Sequence, residues 1–206
     1  NAVTAVLSGP NLAREVASGL PAAAVIASRD ESFALQVQGW LQGPKFRVYT
    51  SSDVAGVEIG GAVKNVIALA TGISSGLGLG ENTKATIITR GLHEIIRLGT
   101  LLGGRRETFY GLSGLGDLVA TCAGPQSRNF TAGQRIARGE NLHDLEADGL
   151  TAEGIQAVER IFGFASEHGI DLPICSEVYR VVFRGKPAAD AIRALMERSA
   201  KPEATV

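Results

Sequence analysis

Residues 61–73 read GAVKNVIALATGI, a stretch that is apolar except for a lysine and an asparagine side by side near its middle. All but its last residue lies within residues 54–72, which predict one long helix. An ionised lysine is costly to bury, because its charge loses hydration and gains little in return. Two interpretations of Lys64 and Asn65 follow. Either the lysine stem is buried and its ammonium reaches solvent, or both side chains face a cleft that uses them.

On the N-terminal side of this helix, short apolar runs alternate with helical patterns. Strands are predicted at residues 4–9, 22–28 and 45–51. The first intervening helix is expected to run from an Asn11 cap to a stop at Gly19. Strands separated by helix-length connections favour parallel pairing. The three strands therefore predict a small parallel sheet.

After Asp53 the sequence predicts helices and no convincing strand. The helices are expected at residues 54–72, 83–102, 115–122, 129–138, 152–168, 174–184 and 188–199, with Thr151 as a cap. The fold class is therefore mainly α with an α/β N-terminal part. Residues 1–52 are expected to form part of a doubly wound α/β unit, and residues 53–206 an all-helical domain.

Composition narrows the classes of partner. The net charge is −1 and the isoelectric point about 6.4, which gives no electrostatic reason to expect nucleic acid or an anionic membrane. The two cysteines form no CxxC pair, as expected in a reducing compartment. No uninterrupted apolar run approaches ~18 residues, and the N-terminus lacks a basic-then-apolar leader. We expect a soluble, cytoplasmic protein without membrane insertion.

Two motifs resemble known sites but fail on spacing. The loop GISSGLGLGENT (72–83) is rich in glycine, yet it has neither a phosphate-binding lysine nor the dinucleotide GxGxxG pattern after a strand. It is predicted to be a connector. HEIIR (93–97) has an arginine where a zinc-binding HExxH has its second histidine. With no cluster of ligands, no metal is predicted.

Two other motifs carry polar groups suited to a site. SRN (127–129) places a hydroxyl, a guanidinium and an amide at a predicted helix start, where backbone N–H groups favour an oxyanion. GLSGLGDLVATC (111–122) carries one carboxylate, Asp117, at the start of a glycine-rich helix. Taken alone, SRN is better explained as a helix cap with a solvated arginine, and Asp117 as a partner of the helix dipole.

Taken together and in order, the motifs carry a resemblance. SGPNLAREVASG, GAVKNVIALATGI, ATIITRGLHEIIRLG, TFYGLSGLGDLVATC, SRN and AEG resemble the bacterial type of NAD(P)-dependent glycerol-3-phosphate dehydrogenases. The resemblance runs from about Leu7 to about Gly185. It implies that the chain is similar to the end of a Rossmann domain followed by a complete helical substrate domain, without the GxGxxG half.

The resemblance also implies roles for individual residues. Lys64 is expected to be the general acid/base, with Asp117 as the carboxylate of the catalytic pocket. Further contacts with the substrate are expected from Gly9, Asn11, Asn65, Thr121, Ser127, Arg128 and Asn129. Contacts with the cofactor, NAD or NADP, are expected from Ala13, Arg128, Thr151 and Glu153.

The implied reaction interconverts sn-glycerol 3-phosphate and dihydroxyacetone phosphate and feeds glycerophospholipid synthesis. The nicotinamide would supply the hydride and a lysine ammonium the proton. Without the GxGxxG half, the chain is expected to be inactive alone. Two alternatives stay open: a non-catalytic substrate-binding or oligomerising fragment, and another lysine-dependent Rossmann dehydrogenase acting on a hydroxy acid. The resemblance leaves room for a homodimer.

Overall fold

The computed structural model of the chain describes residues 3–150, 152–200 and 202–203. Its N-terminal part contains β1 (Val6–Ser8), α1 (Ala13–Ala17), β2 (Ala22–Ala27), α2 (Glu31–Leu41) and β3 (Phe46–Ser51). The remainder is helical: α3 (Val54–Gly76), α4 (Glu81–Leu101), α5 (Arg106–Tyr110), a π-helical turn (Leu112–Gly116), α6 (Asp117–Cys122), α7 (Arg128–Ala137), α8 (Leu142–Ala147), α9 (Glu153–His168), α10 (Pro173–Arg184) and α11 (Ala188–Met196). The predicted fold class, mainly α with an α/β start, is confirmed.

The three strands form one sheet in the order β1-β2-β3, but the prediction of parallel pairing is only half right. β2 and β3 are parallel, joined through α2, whereas β1 runs antiparallel to β2. The five residues of α1 rise only about 8 Å, while a six-residue strand is about 20 Å long. Helix α1 therefore does not carry the chain back along the sheet, and β2 starts at the end where β1 stops.

Gly9 makes the turn out of β1. Its backbone lies against β2 with φ +139°, and a Cβ there would stand 3.0 Å from the Ala23 carbonyl oxygen and the Ala24 Cα. Only glycine fits this close approach without strain. The chain therefore leaves Ser8, the last residue of β1, in a fixed direction.

Helix α3 is the centre of the helical part. Asp53 begins it by accepting a hydrogen bond from the Gly56 N–H at 3.0 Å. Its C-terminal half packs closely on α7, where a Cβ on Gly72 would lie 2.1 Å from the Phe130 carbonyl oxygen. Although α3 has the length and apolar composition of a membrane span, most of it is buried inside the protein, as a core helix is. This helix carries Lys64 and Asn65.

The sheet packs on the start of α3. Val25 and Ala27 of β2 form an apolar cluster with Val57 of α3, and partly buried Val6, Val54 and Leu112 pack against it. This contact places the C-terminal end of β1 beside the first turns of α3. The polar residues that follow β1 therefore lie close to polar residues of the helical part.

All seven helices predicted after Asp53 are present, with corrected ends. Helix α3 continues to Gly76, so the connector predicted for residues 72–83 shortens to a turn through Gly78, whose φ is +75°. Helix α1 begins at Ala13 with Leu12 in the cap position and no side-chain cap bond, so the Asn11 cap was wrong. Short helices α5 and α8 were not predicted, since helices this short depend on packing rather than on their own pattern. The predicted Thr151 cap lies outside the described residues.

Candidate active site

Lys64 and Asp117 form an ion pair beside a cleft. The Lys64 Nζ lies 2.5 Å from the Asp117 Oδ2, and their side chains are 19% and 6% exposed. Lys64 lies near the middle of α3, and Asp117 is the first residue of α6. The lysine therefore does not simply extend into solvent, because a nearly buried carboxylate holds its ammonium.

The chain brings these two residues together through close backbone contact. A Cβ on Gly60 of α3 would lie 2.8 Å from the Ser113 carbonyl oxygen in the π-helical turn. A Cβ on Gly114 would lie 2.1 Å from the Phe109 carbonyl oxygen. Glycines at both positions let the turn lie directly on α3 and α5, and Asp117 follows it immediately.

Two hydroxyl groups also bond to the Asp117 carboxylate. The Ser8 Oγ donates to Oδ2 at 3.2 Å, and the Thr121 Oγ1 lies 3.3 Å from Oδ1. The same Thr121 hydroxyl also lies 2.6 Å from the Asp117 carbonyl oxygen, one helical turn back. Side chains from the sheet, from α3 and from its own helix thus bond to the Asp117 carboxylate.

Asn65 and Asn129 join α3, α7 and α9 at the back of the cleft. The Asn129 Nδ2 donates to the Asn65 Oδ1 at 2.9 Å, and the Asn129 Oδ1 accepts from the Gly154 N–H at 2.8 Å. The Asn65 Nδ2 donates to the Gly61 carbonyl oxygen at 3.3 Å. Both amides are buried, so they contribute to the fold as well as to the cleft wall.

The N-terminus of α7 presents its polar groups to the cleft. The Ser127 Oγ caps the helix by accepting from the Phe130 N–H at 3.2 Å, which leaves its own O–H able to donate elsewhere. The Arg128 side chain is 62% exposed, and its nearest acidic partner is Glu153 at 3.5 Å, 70% exposed. An exposed pair of this kind is weak, so Arg128 can exchange Glu153 for a ligand.

These groups line one cleft of about 260 Å³. Ten predicted site residues are among its lining: Asn11, Ala13, Lys64, Asn65, Asp117, Thr121, Ser127, Arg128, Asn129 and Glu153. Gly9 is absent from this lining and supports it through its backbone turn, while Thr151 lies outside the described residues. The lining also includes Leu12 and Gln126, which the sequence reasoning missed. Both stand directly next to predicted residues, and that adjacency was the available signal.

A second, larger cavity of about 1020 Å³ lies between α4, α10 and α11 and the residues after them. Its wall includes Glu94, a buried carboxylate that accepts the N–H groups of Ile174 at 2.6 Å and Cys175 at 3.1 Å. Burial raises the pKa of Glu94 to about 7. None of the predicted site residues lines this cavity, so its size does not make it the candidate site.

Metal ligands do not gather in the described part of the chain. Within residues 3–150, 152–200 and 202–203, no three side chains of His, Cys, Asp or Glu are placed to hold one ion. His93 and Arg97 of the HEIIR motif lie on the wall of the larger cavity instead.

Comparison with known proteins gives one consistent family. Residues 53–193 match the NAD-dependent glycerol-3-phosphate dehydrogenase C-terminus, and residues 1–34 match the N-terminus of the same family. The chain is 52% identical over 200 residues to the glycerol-3-phosphate dehydrogenase [NAD(P)+] of Streptomyces avermitilis, and 55% identical over 201 residues to that of Corynebacterium glutamicum. Each match covers 97% of this chain but only 60% of the relative.

Solved structures agree with the sequence relatives. The crystal structure of glycerol-3-phosphate dehydrogenase from Coxiella burnetii matches with a TM-score of 0.92 and 42% identity, over 96% of this chain and 61% of that one. The structure of DsGPDH of Dunaliella salina matches with a TM-score of 0.85 and 26% identity, over 96% of this chain and 36% of that one. The chain thus spans about 60% of the length of the curated relatives it matches.

Proposed function

The chain belongs to the NAD-dependent glycerol-3-phosphate dehydrogenase family, and we propose that it carries the substrate-binding and proton-transfer part of such an enzyme. The full-length protein would interconvert sn-glycerol 3-phosphate and dihydroxyacetone phosphate with NAD or NADP. The observation that carries the proposal is the Lys64–Asp117 pair on a cleft next to the N-terminus of α7. A proton donor and an anion site then face one small molecule.

The proposed division of the chain follows from where these groups lie. Residues 1–52 would complete a dinucleotide-binding domain, and residues 53–206 would form the helical substrate domain. In support, all described strands lie before Asp53 and only helices follow it. Asn11 and Ala13 reach the cleft from the first part, and Lys64 and Asp117 from the second. The cleft therefore lies where the two proposed domains meet.

The phosphate of the substrate would bind at the start of α7. Backbone N–H groups and the helix dipole favour an anion there, and Arg128 can add a bidentate, charge-assisted contact. Ser127 keeps an O–H free to donate after capping the helix. The cleft volume of about 260 Å³ is small and suits a triose phosphate better than a bulky substrate.

The residues at the rim of the cleft fit a nicotinamide cofactor. Ala13, Arg128 and Glu153 are all exposed there, so they offer a methyl group, a guanidinium and a carboxylate that would contact an apolar ring with a carboxamide. These side chains would hold the cofactor in the full-length protein. When bound, the nicotinamide supplies or accepts the hydride at the substrate C2.

Lys64 would move the proton. In the direction of reduction its ammonium donates to the developing alkoxide at C2, and in the reverse direction its amine accepts that proton. Asp117 holds the ammonium in position and balances its charge, so Lys64 can be kept near the substrate despite being mostly buried. The buried carboxylate partner favours this role over a lysine that merely reaches solvent.

The test is a substrate comparison with full-length protein. Oxidation of NADH or NADPH should be fast with dihydroxyacetone phosphate and much slower with dihydroxyacetone or a 2-keto acid, because only the first fills both the proton-donor and phosphate sites. A preference for the keto acid would instead favour a hydroxy-acid dehydrogenase. Equal absence of turnover with all three would favour a non-catalytic protein. The proposal includes a homodimer, which sedimentation of the full-length protein tests, and a cytoplasmic location, which cell fractionation tests.

A further inference from the structure

We propose that Ser8 is a positioning residue for proton transfer, acting through Asp117 on Lys64. The inference rests on the proposed function, because it assigns Ser8 a part in that reaction. Ser8 was not among the residues expected from the sequence, although it directly precedes Gly9. Its importance comes from where its hydroxyl points.

The Ser8 hydroxyl and the Lys64 ammonium share one acceptor atom. The Ser8 Oγ lies 3.2 Å and the Lys64 Nζ 2.5 Å from the Asp117 Oδ2. A carboxylate oxygen can accept from both donors at once. The Ser8 bond therefore fixes the rotation of the Asp117 carboxyl group, and with it the place where the lysine ammonium is held.

The Ser8 end of this contact is held in place by its neighbours. Ser8 pairs with Val25 in the sheet, and Gly9 immediately after it is pressed against the β2 backbone. A Cβ on Gly61 would meet the Ser8 Oγ at 3.4 Å, so the hydroxyl also rests on α3 one turn before Lys64. Because Ser8 is held in this way, its bond can position Asp117 rather than only satisfy a hydroxyl.

The contact also crosses between the two proposed parts of the chain. Lys64 and Asp117 both belong to the helical part, whereas Ser8 belongs to the sheet that would join the cofactor domain. A hydride and a proton must reach the same carbonyl group in the right geometry. Ser8 ties the proton donor to the part of the protein that would hold the hydride donor, so its loss should affect turnover more than substrate binding.

The experiment compares serine variants of the full-length protein. In Ser8→Ala, kcat for dihydroxyacetone phosphate should fall by about tenfold, the size expected when a hydrogen bond to a charged group is lost. KM should stay within about twofold, since the phosphate contacts are untouched. Ser8→Thr keeps the hydroxyl and should restore most of kcat.

Ser32→Ala is the matched control. The Ser32 Oγ also donates to an aspartate, the exposed Asp30, at 2.7 Å, but this pair lies at the start of α2 and neither residue lines the cleft. Its kcat and KM should equal those of the parent. A Ser8→Ala variant with the same kcat as this control would overturn the inference, as would Ser8→Thr failing as badly as Ser8→Ala.

A rise in KM without a fall in kcat would also overturn it, since that would make Ser8 a binding residue. If Ser8→Ala does not fold, Ser8→Cys replaces it with the same expected results, because a thiol is a poor donor. A parent protein without turnover would overturn the proposed function and this inference together. An active parent beside an equally active Ser8→Ala would overturn the inference alone.

Discussion

Asp117 and Glu94 are both almost completely buried, at 5% and 3% exposed, but they bond to different kinds of partner. Asp117 bonds to a lysine ammonium and two hydroxyl groups at the edge of the cleft. Glu94 bonds to the backbone N–H groups of Ile174 and Cys175 at the start of α10. The first arrangement keeps a proton donor next to a space that a ligand can enter. The second ties two helices together.

This difference indicates which kind of buried charge has a catalytic role and which has a structural one. A carboxylate that accepts from a helix N-terminus already has the partners that stabilise it, so it needs no ligand. A lysine held by a carboxylate at a cleft keeps N–H groups that can turn to a substrate. Changes around Asp117 should therefore alter kinetics, whereas changes at Glu94 should alter stability.

The largest effect is expected from Lys64→Met in the full-length protein. Methionine keeps a long stem in α3 but removes the proton and the charge, so kcat should fall by roughly 10²–10⁴. Steady-state kinetics with dihydroxyacetone phosphate measure kcat, and thermal unfolding checks that the variant is folded.

Lys84→Met is the control for this change. Lys84 pairs with the exposed Glu81 at 3.1 Å on α4, so its loss should leave kcat unchanged. A folded Lys64→Met variant as active as Lys84→Met would show that Lys64 is structural, and the contrast between the two carboxylates would then have no catalytic meaning.

Glu94 should make stability depend on pH. Its pKa is raised to about 7 in the folded state, mainly by burial, while an unfolded glutamate titrates at its ordinary value near 4.5. The folded state therefore binds the proton more tightly. Below the unfolded-state pKa, Glu94 therefore contributes up to about 3 kcal/mol to the free energy of unfolding. This contribution is lost as pH rises through about 7.

Chemical denaturation at pH 5 and pH 8 measures this loss. The free energy of unfolding of the parent should fall between these pH values by more than that of Glu94→Gln, which cannot ionise there. Taking the difference between the two proteins cancels the other titrating groups, including His93 and its lowered pKa. Identical slopes would show that Glu94 does not titrate in this range. The kcat of Glu94→Gln should stay near the parental value.

Arg128→Ala should raise KM for dihydroxyacetone phosphate by about 10- to 100-fold, since a hydrogen bond to a charged group is worth ~1.5–3 kcal/mol. Arg128→Lys should restore binding only in part, because lysine lacks the planar, bidentate fork. Arg138→Ala, at the exposed opposite end of the same helix, is the control and should leave KM unchanged. A KM of Arg128→Ala within about twofold of this control would remove Arg128 from the phosphate site.

The sequence predicted which residues line the cleft far better than it predicted the contacts that hold those residues in place. Lys64, Asp117 and the SRN triplet stand in motifs that could be matched in order, and the structure gathers them. The bond from Ser8 joins residues 109 positions apart, and no local pattern indicates it. The antiparallel direction of β1 was missed, because the spacing between two predicted strands does not show whether a short helix such as α1 carries the chain back along the sheet.

Glu94 shows a signal that could have been used. It lies on the same face of α4 as Ile87, Gly91 and Leu98, which are buried at helical spacing. A charged residue within a buried stripe indicates a specific partner. The partner itself, the N-terminus of α10, is about 80 residues away and follows only from tertiary packing.

The smallest effect separates two roles of Ser127. Its Oγ caps α7, so Ser127→Ala should lower the free energy of unfolding by about 1 kcal/mol, while Ser127→Gly should cost only a few tenths. If the O–H also donates to the phosphate, both variants should raise KM by a similar factor of about 2 to 10. The two substitutions differ in their effect on the helix but remove the same hydroxyl. A KM that rises only in the less stable alanine variant would therefore make Ser127 a cap alone, and the cleft would lose one of the groups that distinguish it from the surroundings of Glu94.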